Sequence, residues 1–148
     1  MYPCTYKFHA PASMKERVTE MQAILSEMPQ YEPVTKHYFH GGMYCREVYR
    51  DAGVMVVGKV HKHEHFYVIA SGTVLVTTED GAKELTAPAV VLSTPGTKRA
   101  VYAVTPATCM TFHRSNATTV EEAEAELIEE DPLSLFDAHN RVKLEVLQ

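Results

Sequence analysis

Three histidines at alternate positions are the residues most suited to chemistry in this chain. His61, His63 and His65 lie in the stretch GKVHKHEHFYVIASG, with Glu64 between the last two. Imidazoles this close together repel one another once protonated, whereas neutral imidazole and carboxylate accept Zn²⁺, Fe²⁺, Mn²⁺ or Ni²⁺. The cluster therefore indicates either a divalent metal site or a polar strand end that faces solvent, and the sequence does not choose among the metals.

Length and composition predict one globular domain over residues 1–148 and exclude several classes of protein. The net charge of −5 argues against a general nucleic-acid or membrane partner, and no apolar run approaches the length of a membrane span. The N-terminus lacks a basic and apolar signal pattern, and Cys4, Cys45 and Cys109 are too few and too far apart for a disulfide framework. We therefore expect a cytoplasmic protein with reduced thiols.

The N-terminal segment, residues 1–33, contains one predicted helix. Ser13 with Glu16 three residues later is a capping-box arrangement, and Pro29 ends the pattern. The apolar residues that follow the cap recur at spacings of four, three, four and three: Met14, Val18, Met21, Leu25 and Met28. This stripe predicts a helix that packs on the outside of a core.

The middle segment, residues 34–113, predicts seven or more short antiparallel strands. Runs rich in Val, Tyr, Thr and Phe alternate with turn residues such as Gly41-Gly42 and Pro95-Gly96. This pattern predicts a sandwich or small barrel. Residues 54–57 are apolar on both faces, so their strand is either central or covered by a partner; a face formed by Val54, Val56 and Val60 predicts a homodimer.

The C-terminal segment, residues 114–148, predicts a second helix and a tail. Thr118 or Thr119 can cap a helix that continues to about Glu130 and is rich in acidic residues, and we interpret this helix as solvated on its polar side. The tail alternates apolar and charged residues around Leu144, which indicates an edge strand or an exchanged arm.

The order of motifs within the β segment resembles the cupin superfamily. A histidine-bearing strand end, the stretch IASG, a TVLV strand and the stretch LSTPGTKR follow one another. In cupins the first motif is histidine-x-histidine, then a glutamate and a glycine, and the second is a proline–glycine turn followed by a histidine. Counted back from Gly72, His65 occupies the glutamate position, and His61 and Lys59 occupy the two histidine positions; Arg99 occupies the last.

The resemblance implies a mainly β, single-domain cupin-like (jelly-roll) β-barrel with both helices packed outside. The fuller pattern, HYFHGGMYCREVY, GKVHKHEH, APAVVLSTPGTKRAVYA and TFH, is also similar to small cupin-like proteins of tailed bacteriophages. This second resemblance implies the host cytoplasm as the location. It adds little about chemistry.

Lys59 and Arg99 stand at two of the four positions that carry metal ligands in cupins. A metal in this chain would therefore need ligands from other residues. Strand alternation predicts that Lys59 and His61 point inward, with Val57 and Met55 on the same side. The rebuilt metal site is then His61, His65 and His113, with an open position and Glu64 as a fourth ligand or a hydrogen-bond partner of a ligand.

The remaining candidate residues suit an anionic ligand. Arg99, Lys59 and His63 are the predicted ligand-binding residues, and Glu64 and Tyr67 are the candidate acid or base. Arg99 needs either an anionic ligand or an acidic partner, for which Glu47 and Glu64 are available.

The function predicted from these residues is a metal-binding small cupin that binds or transforms a small anionic metabolite in the barrel. The alternatives are a ligand-sequestering protein without turnover and a structural or assembly protein with a stabilising metal. Whether the chain is an enzyme stays open. The motifs of other catalytic classes, GxSxG, GxGxxG and the P-loop, are absent from the sequence.

Overall fold

The structure, a computed structural model, describes residues 13–143, which form nine strands and two helices. In chain order these are α1 (Met14–Leu25), β1 (Val34–His40), β2 (Met43–Arg50), β3 (Met55–Val57), β4 (His65–Ser71), β5 (Thr73–Thr78), β6 (Gly81–Thr86), β7 (Ala89–Ser93), β8 (Ala100–Ala103), β9 (Ala107–Arg114) and α2 (Val120–Leu127). The predicted mainly β architecture with two flanking helices is confirmed.

Two antiparallel sheets face each other as a jelly roll that is not closed into a continuous barrel. One sheet has the strand order β1-β2-β9-β4-β7 and the other has the order β3-β8-β5-β6. The main core lies between them and consists of Tyr67, Ile69, Val74, Val76, Val101, Ala103, Ala107 and Cys109. Because one face of each sheet is buried, the two-residue period of each strand fixes which side chains point between the sheets.

Helix α1 covers strand β3. The Ser13 side chain accepts a hydrogen bond from the Glu16 amide at 3.1 Å, as the capping box predicts. Met14 and Val18 pack with Ala100, and Met55 and Val57 of β3 lie against this cluster. The two-sided apolar character of residues 54–57 is therefore explained by the chain's own helix.

The predicted inward direction is wrong for Met55. Met55 and Val57 contact the α1 cluster, but Val57 also lines the cavity between the sheets, together with the neighbouring Val56. The strand has only three residues, so its alternation does not extend through Gly58 to His61. Val60 is buried at 6% exposure, so the apolar face on which the homodimer prediction rested is not a free surface.

Helix α2 is capped by Thr119, whose side chain accepts from the Glu122 amide at 3.2 Å. Its apolar edge, Ala123 and Leu127 with Ile128, is buried against Tyr44. The interpretation of its acidic residues as simply solvated is incomplete, because some of them bind the barrel, as described below. Neither of the two described helices is long and apolar enough to cross a membrane.

The segment after α2 returns to the barrel and is fixed there by ionic and backbone bonds. Lys98, only 4% exposed, forms an ion pair with Asp131 at 3.0 Å. The Glu129 amide donates to the Val60 carbonyl at 2.9 Å. The predicted tail strand around Leu144 lies outside the described residues.

Candidate functional site

The inner face of the five-stranded sheet carries the candidate site in cross-strand rows. In antiparallel strands, residues at paired positions point to the same face, so the register of β2, β9, β4 and β7 sets each row. The histidine row, next to α2, is Tyr44, His113, His65 and Ser93. The arginine row below it is Arg46, Thr111, Tyr67 and Val91. The next row, Val48, Cys109, Ile69 and Ala89, is apolar and belongs to the core.

The three predicted metal ligands lie together at the histidine row. His113 and His65 belong to the row itself, with ring centroids 4.6 Å apart. His61 enters from the segment before β4, and its ring lies 4.2 Å from that of His65 and 5.1 Å from that of His113. Its backbone is held by a bridge to Ile128 and by the Gly96 amide, which donates to the His61 carbonyl at 3.0 Å.

These imidazoles are neutral at physiological pH. Burial, reinforced by the neighbouring histidines and by Arg46, lowers the pKa of His61 to about 2 and that of His113 to about 3. Burial also lowers the pKa of His65. The Nδ1 atom of His65 lies 3.2 Å from the His63 carbonyl, so it is suited to donate there and leave Nε2 with a free lone pair.

The donor set fits a divalent metal, but the ring orientation does not. Three neutral imidazoles are ligands that Zn²⁺, Fe²⁺, Mn²⁺ and Ni²⁺ accept. However, the rings of His61 and His113 are stacked with 14° between their planes. Within residues 13–143 no three His, Cys, Asp or Glu side chains are arranged to hold an ion as they stand. Coordination therefore requires the rings to turn so that their nitrogens converge.

Glu64 and His63 do not lie in the site. Both side chains are exposed, and neither lines the cavity between the sheets. The chain bends at residues 62–64, and Glu64 immediately precedes the inward-facing His65, so it faces the other way. The structure therefore corrects the placement of Glu64 beside the metal ligands and of His63 in the ligand pocket.

A cavity of about 90 Å³ lies between the sheets beside the histidines. Arg99 reaches into it with its guanidinium carbon 5.3 Å from the centre of the Tyr67 ring, a cation–π contact. Neither predicted acidic partner is near Arg99: Glu47 pairs with Lys36 at 3.8 Å, and Glu64 is exposed. Within the described residues Arg99 forms no salt bridge.

Lys59 also lines the cavity, but its charge is already paired. Its Nζ lies 2.5 Å from the Glu124 carboxylate of α2, with the lysine side chain 12% exposed. Residues of the C-terminal segment, among them Ser134, Phe136 and Asn140, complete the cavity wall. Acidic helix α2 thus closes the barrel beside the histidines instead of only facing solvent.

Two arginines that sequence reasoning missed also line the cavity. Arg46 and Arg50 point inward from β2, and Arg50 is only 4% exposed. Neither forms a salt bridge within residues 13–143. The alternation of Tyr44, Arg46, Val48 and Arg50 along β2 was available in the sequence. This alternation alone does not identify the two arginines as buried, because arginine in a short strand is far more often exposed than buried.

No protein-family model and no curated protein sequence matches this chain. Solved structures do. A cupin superfamily protein from Desulfitobacterium hafniense is 12% identical and superimposes with a TM-score of 0.50 over 62% of this chain and 88% of its own. A salicylate 1,2-dioxygenase from Pseudoaminobacter salicylatoxidans, crystallised with gentisate, is 12% identical, with a TM-score of 0.53 over 86% of this chain but only 40% of its own. The fold is the cupin jelly roll.

The cupin motifs recognised in the sequence correspond to defined places in this fold. Gly72, the motif glycine, has φ +81°, and an added Cβ would lie 2.2 Å from the Pro106 carbonyl oxygen, so only glycine fits there. Arg99, in the position of a cupin histidine, lies over Tyr67 in the row below the histidines. His113, which the motif does not include, provides the third imidazole. The resemblance to phage cupins stays a prediction.

Proposed function

We propose that this chain is a small cupin that binds a small anion between its sheets, beside a divalent metal held by His61, His65 and His113. The observation that carries the proposal is the juxtaposition of three neutral imidazoles with arginines that have no acidic partner. A cytoplasmic location and the phage origin remain part of the same proposal.

An anionic ligand follows from the charge of the cavity. Its lining includes Arg46, Arg50 and Arg99 and contains no aspartate or glutamate among the described residues. An isolated buried charge is costly, and a bound carboxylate or phosphate would offset much of that cost through charge-assisted hydrogen bonds. The net charge of −5 makes such a concentration of arginines unusual for this chain.

Different residues would bind the metal and the anionic ligand. His61, His65 and His113 would hold the metal, which when bound supplies a Lewis acid that polarises a ligand oxygen. Arg99 neutralises and orients the anion, and Tyr67 donates a hydrogen bond to it. Residues of the C-terminal segment form part of the pocket wall and reduce its contact with water.

Ligand binding without turnover is the second candidate, and the acid–base groups favour it. Burial raises the pKa of Tyr67 above its ordinary value, so this phenol is a donor and not a base near neutral pH. Glu64 is exposed and away from the cavity. An assembly role is not favoured, because side chains leave a cavity of about 90 Å³ unfilled beside the histidines.

Metal analysis of single variants tests the proposal. After reconstitution with each of Zn²⁺, Fe²⁺, Mn²⁺ and Ni²⁺ in turn, the parent should bind one ion with at least one of them. His61→Ala, His65→Ala and His113→Ala should each lose most of it, because each removes an imidazole ligand. This loss should exceed the roughly 10–100-fold in affinity that removal of a ligand's hydrogen-bond partner costs. His63→Ala is the matched control, because this exposed histidine belongs to the same stretch, and it should bind like the parent. A parent that binds none of the ions, or a His61→Ala variant with full metal content, would contradict the metal site.

A further inference from the structure

Buried hydrogen-bonding atoms without partners concentrate at one place in the described part of the chain. Seven such side-chain atoms occur there. Five belong to residues that line the cavity: one is Arg50 Nε, and the other four lie on or over the arginine row. These four are Arg46 Nε, Arg99 Nη1, Tyr67 Oη and Thr111 Oγ1. Buried polar groups in folded proteins are nearly always satisfied, so a cluster of unsatisfied ones indicates an absent partner.

The four residues lie together because of the strand register. Arg46, Thr111 and Tyr67 occupy paired positions on the adjacent strands β2, β9 and β4, with neighbouring side chains about 5 Å apart. Arg99 comes from the segment before β8 in the opposite sheet and lies over the Tyr67 ring at 5.3 Å. The group therefore encloses one part of the cavity from both sheets, about 7 Å along the strands from the histidine row.

All four atoms can donate a hydrogen bond, and two of them belong to guanidinium groups. The Cys109 thiol is beside Tyr67, but sulfur is a weak acceptor, and the Tyr67 hydroxyl forms no hydrogen bond of ordinary geometry. Glu124 is close enough to influence Arg46 electrostatically, but its carboxylate is bonded to Lys59. A negatively charged acceptor is therefore the partner that best suits these donors.

We propose that Arg46, Arg99, Tyr67 and Thr111 form a seat for the carboxylate of a short carboxylic acid with two or three carbons. This inference rests on the proposed function and names its ligand class. A carboxylate offers about four lone-pair sites on two oxygens, which matches four donors. A cavity of about 150 Å³ holds the six carbons of benzene, so a cavity of about 90 Å³ suits roughly four non-hydrogen atoms, which favours the shortest carboxylic acids.

The seat also orients the rest of the ligand. With its carboxylate on the arginine row, a short acid has its second carbon directed along the cavity. A 2-hydroxyl or 2-oxo group there lies on the side of His65 and His61, which also line this cavity. The ligand class is therefore a short 2-hydroxy or 2-oxo acid, for which lactate and pyruvate are suitable probes.

Calorimetric titration of the full-length, chelator-treated protein tests the seat without any metal. We expect lactate and pyruvate to bind and neutral lactamide, which has nearly the same shape as lactate, to bind at least about tenfold more weakly. Inorganic phosphate and the longer adipate should be weaker than lactate. Lactamide binding as tightly as lactate, or phosphate binding more tightly, would overturn the carboxylate assignment.

Conservative variants test whether lactate binds at the arginine row. Tyr67→Phe and Thr111→Val each remove one hydroxyl and should weaken lactate binding about tenfold, whereas Arg99→Met should weaken it about 100-fold. Tyr38→Phe and Arg114→Met, both exposed on the same sheet, are matched controls that should bind like the parent. Should Arg99→Met fail to fold, the two hydroxyl variants decide.

Parallel metal analysis separates this inference from the proposed function. If the seat is correct, Tyr67→Phe and Thr111→Val bind lactate about tenfold more weakly and keep the metal content of the parent. Parent-like lactate binding by both variants would overturn the seat even if the histidines bind a metal. Lactate binding that depends on these hydroxyls in a protein without metal affinity would uphold the seat and contradict the metal site.

Discussion

The two faces of the five-stranded sheet have opposite chemistry. The inner face presents His113 and His65 and then Arg46 and Tyr67 in its first two rows. The outer face is apolar beside these rows: Leu92 is 74% exposed, and across the sheet from it the register places Phe66, Phe112, Cys45 and Tyr38. Antiparallel sheets ordinarily show the reverse pattern, with the apolar face inside.

This reversal indicates which part of the sheet serves stability and which part serves binding. The inner face becomes apolar only at the third row, where Ile69 and Cys109 join the main core. The first two rows instead bury imidazoles and guanidiniums that lose hydration on folding. They lower the stability of the ligand-free protein, so we attribute them to function. The apolar outer face instead offers a surface for contact with another molecule.

The largest expected effect is a loss of stability at low pH, caused by the histidines buried on the inner face. Folding lowers the pKa of His61 and His113 far below the unfolded value near 6.5, so below that pH the unfolded chain binds more protons than the folded one. Stability therefore falls as pH falls. Between pH 7 and pH 5 each histidine should remove about 2 kcal/mol, or about 4 kcal/mol together.

Urea unfolding of the metal-free protein at the two pH values measures this effect. The double variant His61→Gln, His113→Gln should lose most of the pH dependence, and His63→Gln, an exposed histidine, should keep it. An equal free energy of unfolding for the parent at pH 5 and pH 7 would show that the two imidazoles are not buried in neutral form.

The second largest expected effect concerns homodimer formation through the apolar outer face. Phe66, Phe112, Leu92 and Val90 together expose roughly 400 Å² of apolar side chain, about half of what one partner buries in a stable dimer. A second copy related by a two-fold axis can stack the same face on itself. The homodimer predicted from the sequence thus remains a prediction, with its interface moved from β3 to this sheet.

Sedimentation velocity of charged variants tests this interface. Phe66→Glu places a carboxylate at the centre of the apolar row and should weaken dimerisation about 100-fold, or about 3 kcal/mol. Leu133→Glu is the matched control, because Leu133 is 68% exposed but lies outside both sheets. A parent that is monomeric at micromolar concentration, or a Phe66→Glu variant as dimeric as the parent, would contradict the assignment.

The sequence predicted the fold well because its signals were local. Strand runs, turn glycines and the Ser13 and Thr119 caps each depend on a few neighbouring residues, and all of these features occur in the structure. The length of β3 was harder to predict, because Lys59 and His61 continue the alternation of Met55 and Val57 although the strand ends at Val57. That early end is what changed the predicted direction of Met55.

The site was only partly predictable because its parts come from distant segments. Clustering identified His61 and His65, and strand parity added His113, which the structure places beside them. No sequence feature near Lys59 identifies Glu124 as its partner, because the two residues meet only when α2 closes the barrel. Arg46 was missed for a different reason, since its strand position was correct but its burial contradicts the ordinary behaviour of arginine.

The smallest expected effect is the change in stability when the buried Arg46 of the inner face is replaced. Its Nε is buried without a partner, and desolvation lowers its pKa, so the charge opposes folding. Arg46→Met removes the charge and keeps an unbranched apolar side chain. It should raise the free energy of unfolding of the ligand-free protein by about 1–2 kcal/mol. Arg114→Met, an exposed substitution at the end of the neighbouring strand β9, should change it by less than about 0.5 kcal/mol.

Saturation with lactate should reverse the order of the two proteins in the same urea unfolding experiment. A ligand at about 100 times its dissociation constant stabilises the protein that binds it by about 2.7 kcal/mol, and only the parent retains the complete seat. The parent should then be more stable than Arg46→Met. If Arg46→Met is less stable than the parent without ligand and still binds lactate normally, the buried guanidinium supports the fold and not the ligand. The polar inner face would then need a structural explanation.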